Sequence, residues 1–191
     1  MTPEARRALR EALAGRTRNL WNVPEARRAA VLVPLLVREG ELRAILTLRS
    51  TGLRSHSGQW SFPGGSIDEG DADALAAALR EAEEEIGLDP AAVEPIGLLD
   101  DVPAGSGFVI TPVVAWVEPP PAAYRPNPDE VSEVLEVELA RLAAPGVLEL
   151  GDEILRFGRS LRMLSYKLDG RNIWGATARI LSELIEALPT H

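Results

Sequence analysis

Three glutamates, Glu81, Glu84 and Glu85, stand at i, i+3 and i+4 in the run ALREAEEEIGL, shortly after the glycine-rich stretch Phe62-Pro63-Gly64-Gly65. On a helix these spacings put the three carboxylates side by side, and like charges so placed cost about 0.2–0.5 kcal/mol per pair in an isolated helix. Arg80, four residues before Glu84, is the local relief. A cation seated on the cluster would remove the repulsion, and hard divalent ions such as Mg²⁺ or Mn²⁺ prefer oxygen ligands. An acidic run on a helix is more often a solvated face, and Glu83, which points away from the other three, fits that description. The preceding glycines shift the balance. Without Cβ atoms the backbone can approach a ligand closely, and a diphosphate held by metal and backbone needs that combination.

The element that must carry the glutamates is a helix ending near Ile86. Asp71 reads as its N-cap, Asp73 as a negative charge in its first turn, and Gly87 as its C′ stop. Leu75, Ala78, Leu79, Ala82 and Ile86 fall within an arc of about 100°, the stripe that faces a core. Upstream, residues 29–37 are β-branched and apolar, residues 38–40 carry turn chemistry, and residues 42–50 return as an antiparallel partner. Pro34 suits a bulge or an edge better than a central ladder. The loop 50–59 carries Arg54 and His56, with Arg49 at the end of the strand before it. Arginine contacts phosphate in bidentate fashion, so Arg49 and Arg54 are candidates for substrate phosphates, with a surface salt bridge the competing role for Arg49. His56 reads as an ordinary loop histidine.

The run Arg80-Glu81-Ala82-Glu83-Glu84-Glu85-Ile86-Gly87-Leu88, with Gly65 before it, resembles the Nudix box, the signature of hydrolases acting on nucleoside diphosphates linked to another moiety. The first half of that box departs from the usual pattern. Ala72 and Ser66 stand where a glutamate and a glycine are expected, the glycine lies one residue earlier at Gly65, and Asp71 and Asp73 are candidate substitutes for the glutamate. A second run, ILTLRSTGLRSHSGQWSFPGG at 45–65, is similar to the motif of the coenzyme A pyrophosphatase branch of the family. Arg49, Ser50, Arg54, Gly58, Phe62, Pro63, Gly64 and Gly65 are in register, and IWGAT at 173–177 resembles the C-terminal part of that branch. The resemblance implies an α/β/α sandwich with a mixed sheet and a metal-binding loop-helix motif. It implies that Glu81, Glu84 and Glu85 hold Mg²⁺ or Mn²⁺, with a backbone carbonyl of Gly64 or Gly65 as a further ligand. Arg80 would orient the glutamates through ion pairs, and Glu84, or a glutamate outside the box, would act as base. Glu130 and Glu133 are the candidates for that outside residue by analogy, Glu130 preferred. The implied reaction is hydrolysis of the diphosphate of coenzyme A to 4′-phosphopantetheine and adenosine 3′,5′-bisphosphate. A hydrolase for ADP-ribose or dinucleoside polyphosphates, a nucleotide sensor that has lost catalysis, and a merely structural acidic helix are the other readings.

The whole chain has 191 residues and no cysteine, and its formal net charge is −9. The length suits a single domain spanning 1–191, with residues 1–28 as a helical N-terminal extension. The acidic balance argues against a nucleic-acid binder, because phosphate binding favours a basic surface, and it requires anionic substrates to be captured locally by arginine and metal. The partner expected is therefore a small molecule. The lack of cysteine excludes a disulfide framework and a thiol nucleophile, which suits the cytoplasm. No apolar run approaches a membrane span and no signal-peptide h-region is visible, while homodimerisation is left open. Residues 1–15 read as an amphipathic helix with Pro3 early and Gly15 as its stop. Trp21 reads as a packing residue, and Pro24 as the start of another short helix. Strands are expected at 93–102, 108–117, 147–157 and 161–168, with a turn at Asp169-Gly170. Residues 172–188 are expected to close the fold as an amphipathic helix, with Trp174 in the core.

Overall fold

Residues 27–38, RRAAVLVPLLVR, are apolar at successive rather than alternate positions, so a strand made of them must be covered on both faces. They form β1 (Arg27–Arg38), buried from residue 29 to residue 36. The computed structural model describes residues 3–50, 58–105 and 107–188. Val31, Val33 and Leu35 face one core, shared with α1 (Pro3–Gly15) and α4 (Gly175–Ala187). Ala30, Leu32 and Leu36 face a second core, shared with α2 (Ala74–Ile86). The sheet thus lies between helices on both faces, the α/β/α layering expected.

The remaining strands of the large sheet are β2 (Glu41–Arg49), β3 (Trp60–Ser61), β4 (Gly64–Ser66), β5 (Val93–Leu98), β6 (Val102–Pro103), β7 (Phe108–Val117) and β8 (Val131–Glu138). Their order is β3-β2-β1-β7-β5, with β4 on β1, β6 on β7 and β8 on β2. β1 and β7 run parallel and every other pair is antiparallel, so the sheet is mixed. A one-turn helix, α3 (Leu139–Leu142), leads to a second, three-stranded sheet of β9 (Leu148–Arg156), β10 (Arg159–Leu168) and β11 (Arg171–Trp174). Asp169 and Gly170, at φ 51° and 74°, form the tight turn between β10 and β11, as their residue types require.

Four expectations are corrected. Pro34 lies in a central strand, not at an edge. The ladder from β1 to β2 begins only at Leu35, and Leu32, two residues before Pro34 and on the same side of the strand, bonds instead to the carbonyl of Pro63 at 2.9 Å. The missing N–H therefore falls in the seam between β4 and β2, where no ladder bond is lost. Residues 24–26 form a turn rather than a helix, because β1 takes up the chain at Arg27. The last helix starts at Gly175, since Ile173 and Trp174 pair with Tyr166 and Ser165 in β11. The fold buries Ile173 but leaves Trp174 41% exposed, so Trp174 is not a core residue.

Candidate active site

The Phe-Pro-Gly-Gly stretch turns into β4, which pairs antiparallel with β1 at Val31↔Gly64, Ala30↔Gly65 and Ala29↔Ser66. Gly64 has φ 155°, and a Cβ there would lie 2.3 Å from the carbonyl oxygen of Ala30. A Cβ on Gly65 would lie 2.4 Å from Oε1 of Glu81. Each glycine thus permits a different close approach, strand to strand at Gly64 and carboxylate to strand at Gly65.

α2 carries the glutamates from below this strand. Its N-cap is Asp73, which accepts the N–H of Ala76 at 2.9 Å, and Gly87 closes it in the left-handed conformation at φ 66°. The expected N-cap, Asp71, does other work. It accepts Nε and Nη2 of Arg80 at 3.1 and 3.0 Å, which holds its carboxyl below the usual range. Arg80 also donates to the carbonyl of Ser66 at 3.2 Å, to Glu81 at 2.9 Å and to Glu84 at 3.3 Å. It thus ties the loop before α2 to the glutamates.

The three glutamates occupy different environments. Glu85 is 2% exposed, because it lies on the helix face that also buries Ala78 and Ala82. It accepts the N–H of Gly64 at 3.3 Å, and Nη1 of Arg49, at the end of β2, stands 3.6 Å away. Burial pushes its carboxyl up to about 8, against the pull of Arg49 and with repulsion from Glu81 and Glu130. Glu81 is half-buried and raised as well, by burial first, with Arg80 opposing. Glu84 faces solvent and keeps Arg80 as its partner.

Glu130 joins the site through the loop before β8. The N–H of Arg125 and that of Asn127 bond to the carbonyls of Ile86 and Glu85, each at 2.9 Å, so the loop is fastened to the C-terminal end of α2. Asn127 then donates its side-chain N–H to Glu130 at 3.2 Å. Glu133, the other candidate, sits on β8 opposite Leu48 and pairs with Arg171 at 3.1 Å, away from the site. Arg54 and His56 lie outside the described residues.

Arg49, Gly64, Gly65, Glu81, Glu85 and Glu130 all line one cavity of about 690 Å³, in the range of small-molecule sites. Glu84 and Arg80 are not among its lining residues. Trp174, inside the IWGAT stretch, is, and so are Arg27, Arg156, Arg162 and Arg179, which no motif or local spacing marked; these four come from β1, β9, β10 and α4, far apart in the chain. Among the described residues no three acidic, histidine or cysteine side chains form a ready-made metal cage. Glu81, Glu85 and Glu130 are nevertheless an oxygen-only donor set in which burial first, and repulsion from neighbouring carboxylates after it, raises Glu81 and Glu85. Such a set fits a hard divalent cation, which would relieve that repulsion, with nearby backbone carbonyls completing the coordination.

The NUDIX domain profile matches residues 26–156. The chain is 46% identical over 162 residues to the uncharacterized Nudix hydrolase NudL of Escherichia coli K12, an alignment covering 83% of this chain and 81% of that protein. The same figures hold for NudL of Shigella boydii serotype 18. Among solved structures, the Nudix hydrolase RenU of M. smegmatis aligns with TM-score 0.52 and 24% identity, over 62% of this chain and 74% of its own. A MutT/nudix family protein from Enterococcus faecalis aligns with TM-score 0.51 and 15% identity, over 98% of this chain and 73% of its own. These two likenesses bear on the fold.

Proposed function

The chain belongs to the NUDIX domain family, whose hydrolases act on nucleoside diphosphate derivatives, and on that premise we propose that it hydrolyses the diphosphate of coenzyme A or its derivatives. The products are 4′-phosphopantetheine and adenosine 3′,5′-bisphosphate. The observation that carries this reading is the 3.6 Å approach of Arg49 to Glu85, in a cavity of about 690 Å³. It joins the upstream arginine motif to the box glutamates, and the former is what separates the coenzyme A branch from other Nudix resemblances.

Glu81, Glu85 and Glu130 would hold Mg²⁺ or Mn²⁺, with Glu84 reaching in from the solvent side and the carbonyl of Gly64 or Gly65 adding an oxygen. Once bound, the ion supplies neutralisation of the diphosphate and a lower pKa for the attacking water. Arg49, together with Arg54, binds the phosphate oxygens in bidentate fashion. Gly64 and Gly65, which line the cavity, offer their backbone to the substrate. Glu130 or Glu84 takes the proton of the attacking water on a carboxylate oxygen; Glu130 is favoured because it lines the cavity while Glu84 is held by Arg80.

Product analysis with coenzyme A, ADP-ribose and diadenosine polyphosphates, each with Mg²⁺, Mn²⁺ or chelator, tests this. The expected outcome is metal-dependent release of adenosine 3′,5′-bisphosphate from coenzyme A. Cleavage of ADP-ribose alone would retain the glutamates and discard the role given to Arg49 and Arg54. No cleavage of any of them would favour the nucleotide sensor.

A further inference from the structure

A second charged wall lines the same cavity, and the reaction above does not use it. The acidic side chains, Glu81, Glu85 and Glu130, come from α2 and the approach to β8, and no other carboxylate lines the cavity among the described residues. Arg156, Arg162 and Arg179 come from β9, β10 and α4, and Arg27 from the start of β1. Composition does not account for this grouping in a chain with 20 basic and 29 acidic residues.

Among the described residues, Arg156 and Arg179 are poorly matched with counter-charge. Arg179 donates to the backbone carbonyl of Arg162. The carboxylate nearest to it in charge, Glu183, is already engaged by Arg16 at 2.5 Å and by the N–H of Asp100 at 2.8 Å. Arg156 donates Nη1 to the carbonyl of Leu155 at 3.1 Å, and its Nη2 lies beside Gly105. Arg27 stacks on the ring of Phe108 at 4.0 Å. Among the described residues, Arg162 alone of the three from the second sheet and α4 forms a salt bridge, to Glu153 at 3.1 Å. A partly desolvated guanidinium with only carbonyls for partners keeps unused donors arranged for an oxyanion. The wall is also held in place: Phe157, in the turn of the β9–β10 hairpin, meets Trp21 edge-on at 6.3 Å, and Arg159 covers the same ring at 4.7 Å.

We propose that Arg156 and Arg179, with Arg27 and Arg162 beside them, bind a phosphate monoester that the substrate carries away from its diphosphate. This wall, rather than Arg49, then distinguishes a nucleotide bearing such a phosphate from one without it, since Arg49 stands beside the box glutamates, where the diphosphate would lie. The inference rests on the reading of the cavity as the site of a nucleoside diphosphate hydrolase.

The test is calorimetric binding of adenosine 3′,5′-bisphosphate and of adenosine 5′-monophosphate to the full chain in Mg²⁺ buffer, neither of which needs turnover. The protein is expected to bind the bisphosphate about tenfold more tightly or better, as charge-assisted hydrogen bonds to one extra phosphate would give. In Arg156→Gln and in Arg179→Gln that ratio should fall to within about twofold. Arg141→Gln, a surface change outside the cavity at an arginine paired with Asp169, should leave it as it is, which separates local contact from general charge. Arg156 is on the hairpin surface, so its variant is informative even if Arg179→Gln fails to fold. A ratio near one in the unaltered protein, or an unaltered ratio in folded Arg156→Gln, would overturn the proposal. If the preference exists and is lost in the variants while coenzyme A is not cleaved, the substrate reading falls and the wall stands. If coenzyme A is cleaved with no such preference, the wall falls and the reading stands.

Discussion

At Glu85, burial and the proposed metal-binding role pull the same carboxyl in opposite directions. Its place under β4 shields it from water, and without a cation the protonated form is favoured up to about pH 8. The unfolded chain gives that proton up near the ordinary value of 4.5. Between these two values the folded state binds more protons than the unfolded one, so stability falls as pH rises. Thermal unfolding of the chelated protein should therefore show a Tm that declines from about pH 5 to pH 8, and Glu85→Gln should flatten the decline. Added Mn²⁺ should raise Tm most at the alkaline end, where the carboxylate is free to ligate. Glu85→Gln and Glu81→Gln should each lower kcat by about 100-fold or more while the fold persists. Near-normal turnover in folded Glu85→Gln would remove Glu85 from the metal assignment.

Between residue and fold, the loop from Phe62 to Ser66 and α2 act as one unit, and the two adjacent glycines separate its structural from its chemical duty. Gly64→Ala would drive a Cβ into backbone of β1, which cannot yield, so a loss of about 3 kcal/mol is expected in denaturant titrations. Gly65→Ala would meet the end of the Glu81 side chain instead, which can swing aside. Its stability should stay within about 1 kcal/mol of the parent, with activity lost because the carboxylate is displaced. Equal losses of stability in both variants would contradict this division. Capping follows the same economy: Asp73 takes the helix N-terminus, which leaves Asp71 for Arg80 and thereby fixes the guanidinium that orders Glu81 and Glu84.

Across the whole molecule, the segment before β1 is fastened to two adjacent carboxylates, Asp100, which takes Arg16 and Asn19, and the more deeply buried Asp101. Asp101, 4% exposed, accepts Arg18 at 3.0 Å, Arg28 at 2.9 Å, the hydroxyl of Thr111 at 2.9 Å and the N–H of Trp21 at 3.3 Å. Trp21 in turn supports the β9–β10 hairpin, so this node links the N-terminal segment to the basic wall of the cavity. Asp101→Asn should lower stability by about 2 kcal/mol, less than for a fully buried pair because both arginines keep contact with water. Proteolysis should then cut first near residues 16–26, where the lost contacts lie. A variant as stable as the parent would show that the arginines find other partners.

Local spacing was enough to reveal α2 and its Gly87 stop, the crowding of Glu81, Glu84 and Glu85, the paired strands 29–37 and 42–50, and the place of Arg49 at a strand end. Each of these depends on groups only a few residues apart, whose separation is set by helix or strand geometry. The same spacing treats Glu84 and Glu85 alike, and it could not show that β4 buries one and leaves the other to solvent. Nor could it show that Asp71 and Asp73 divide their tasks, that Trp174 stays exposed at the cavity, or that arginines from β1, β9, β10 and α4 line the cavity opened by the acidic helix. These depend on which surfaces meet across long stretches of chain. Burial and electrostatic environment are properties of that meeting, so they arise only when the sheet and helices close around them.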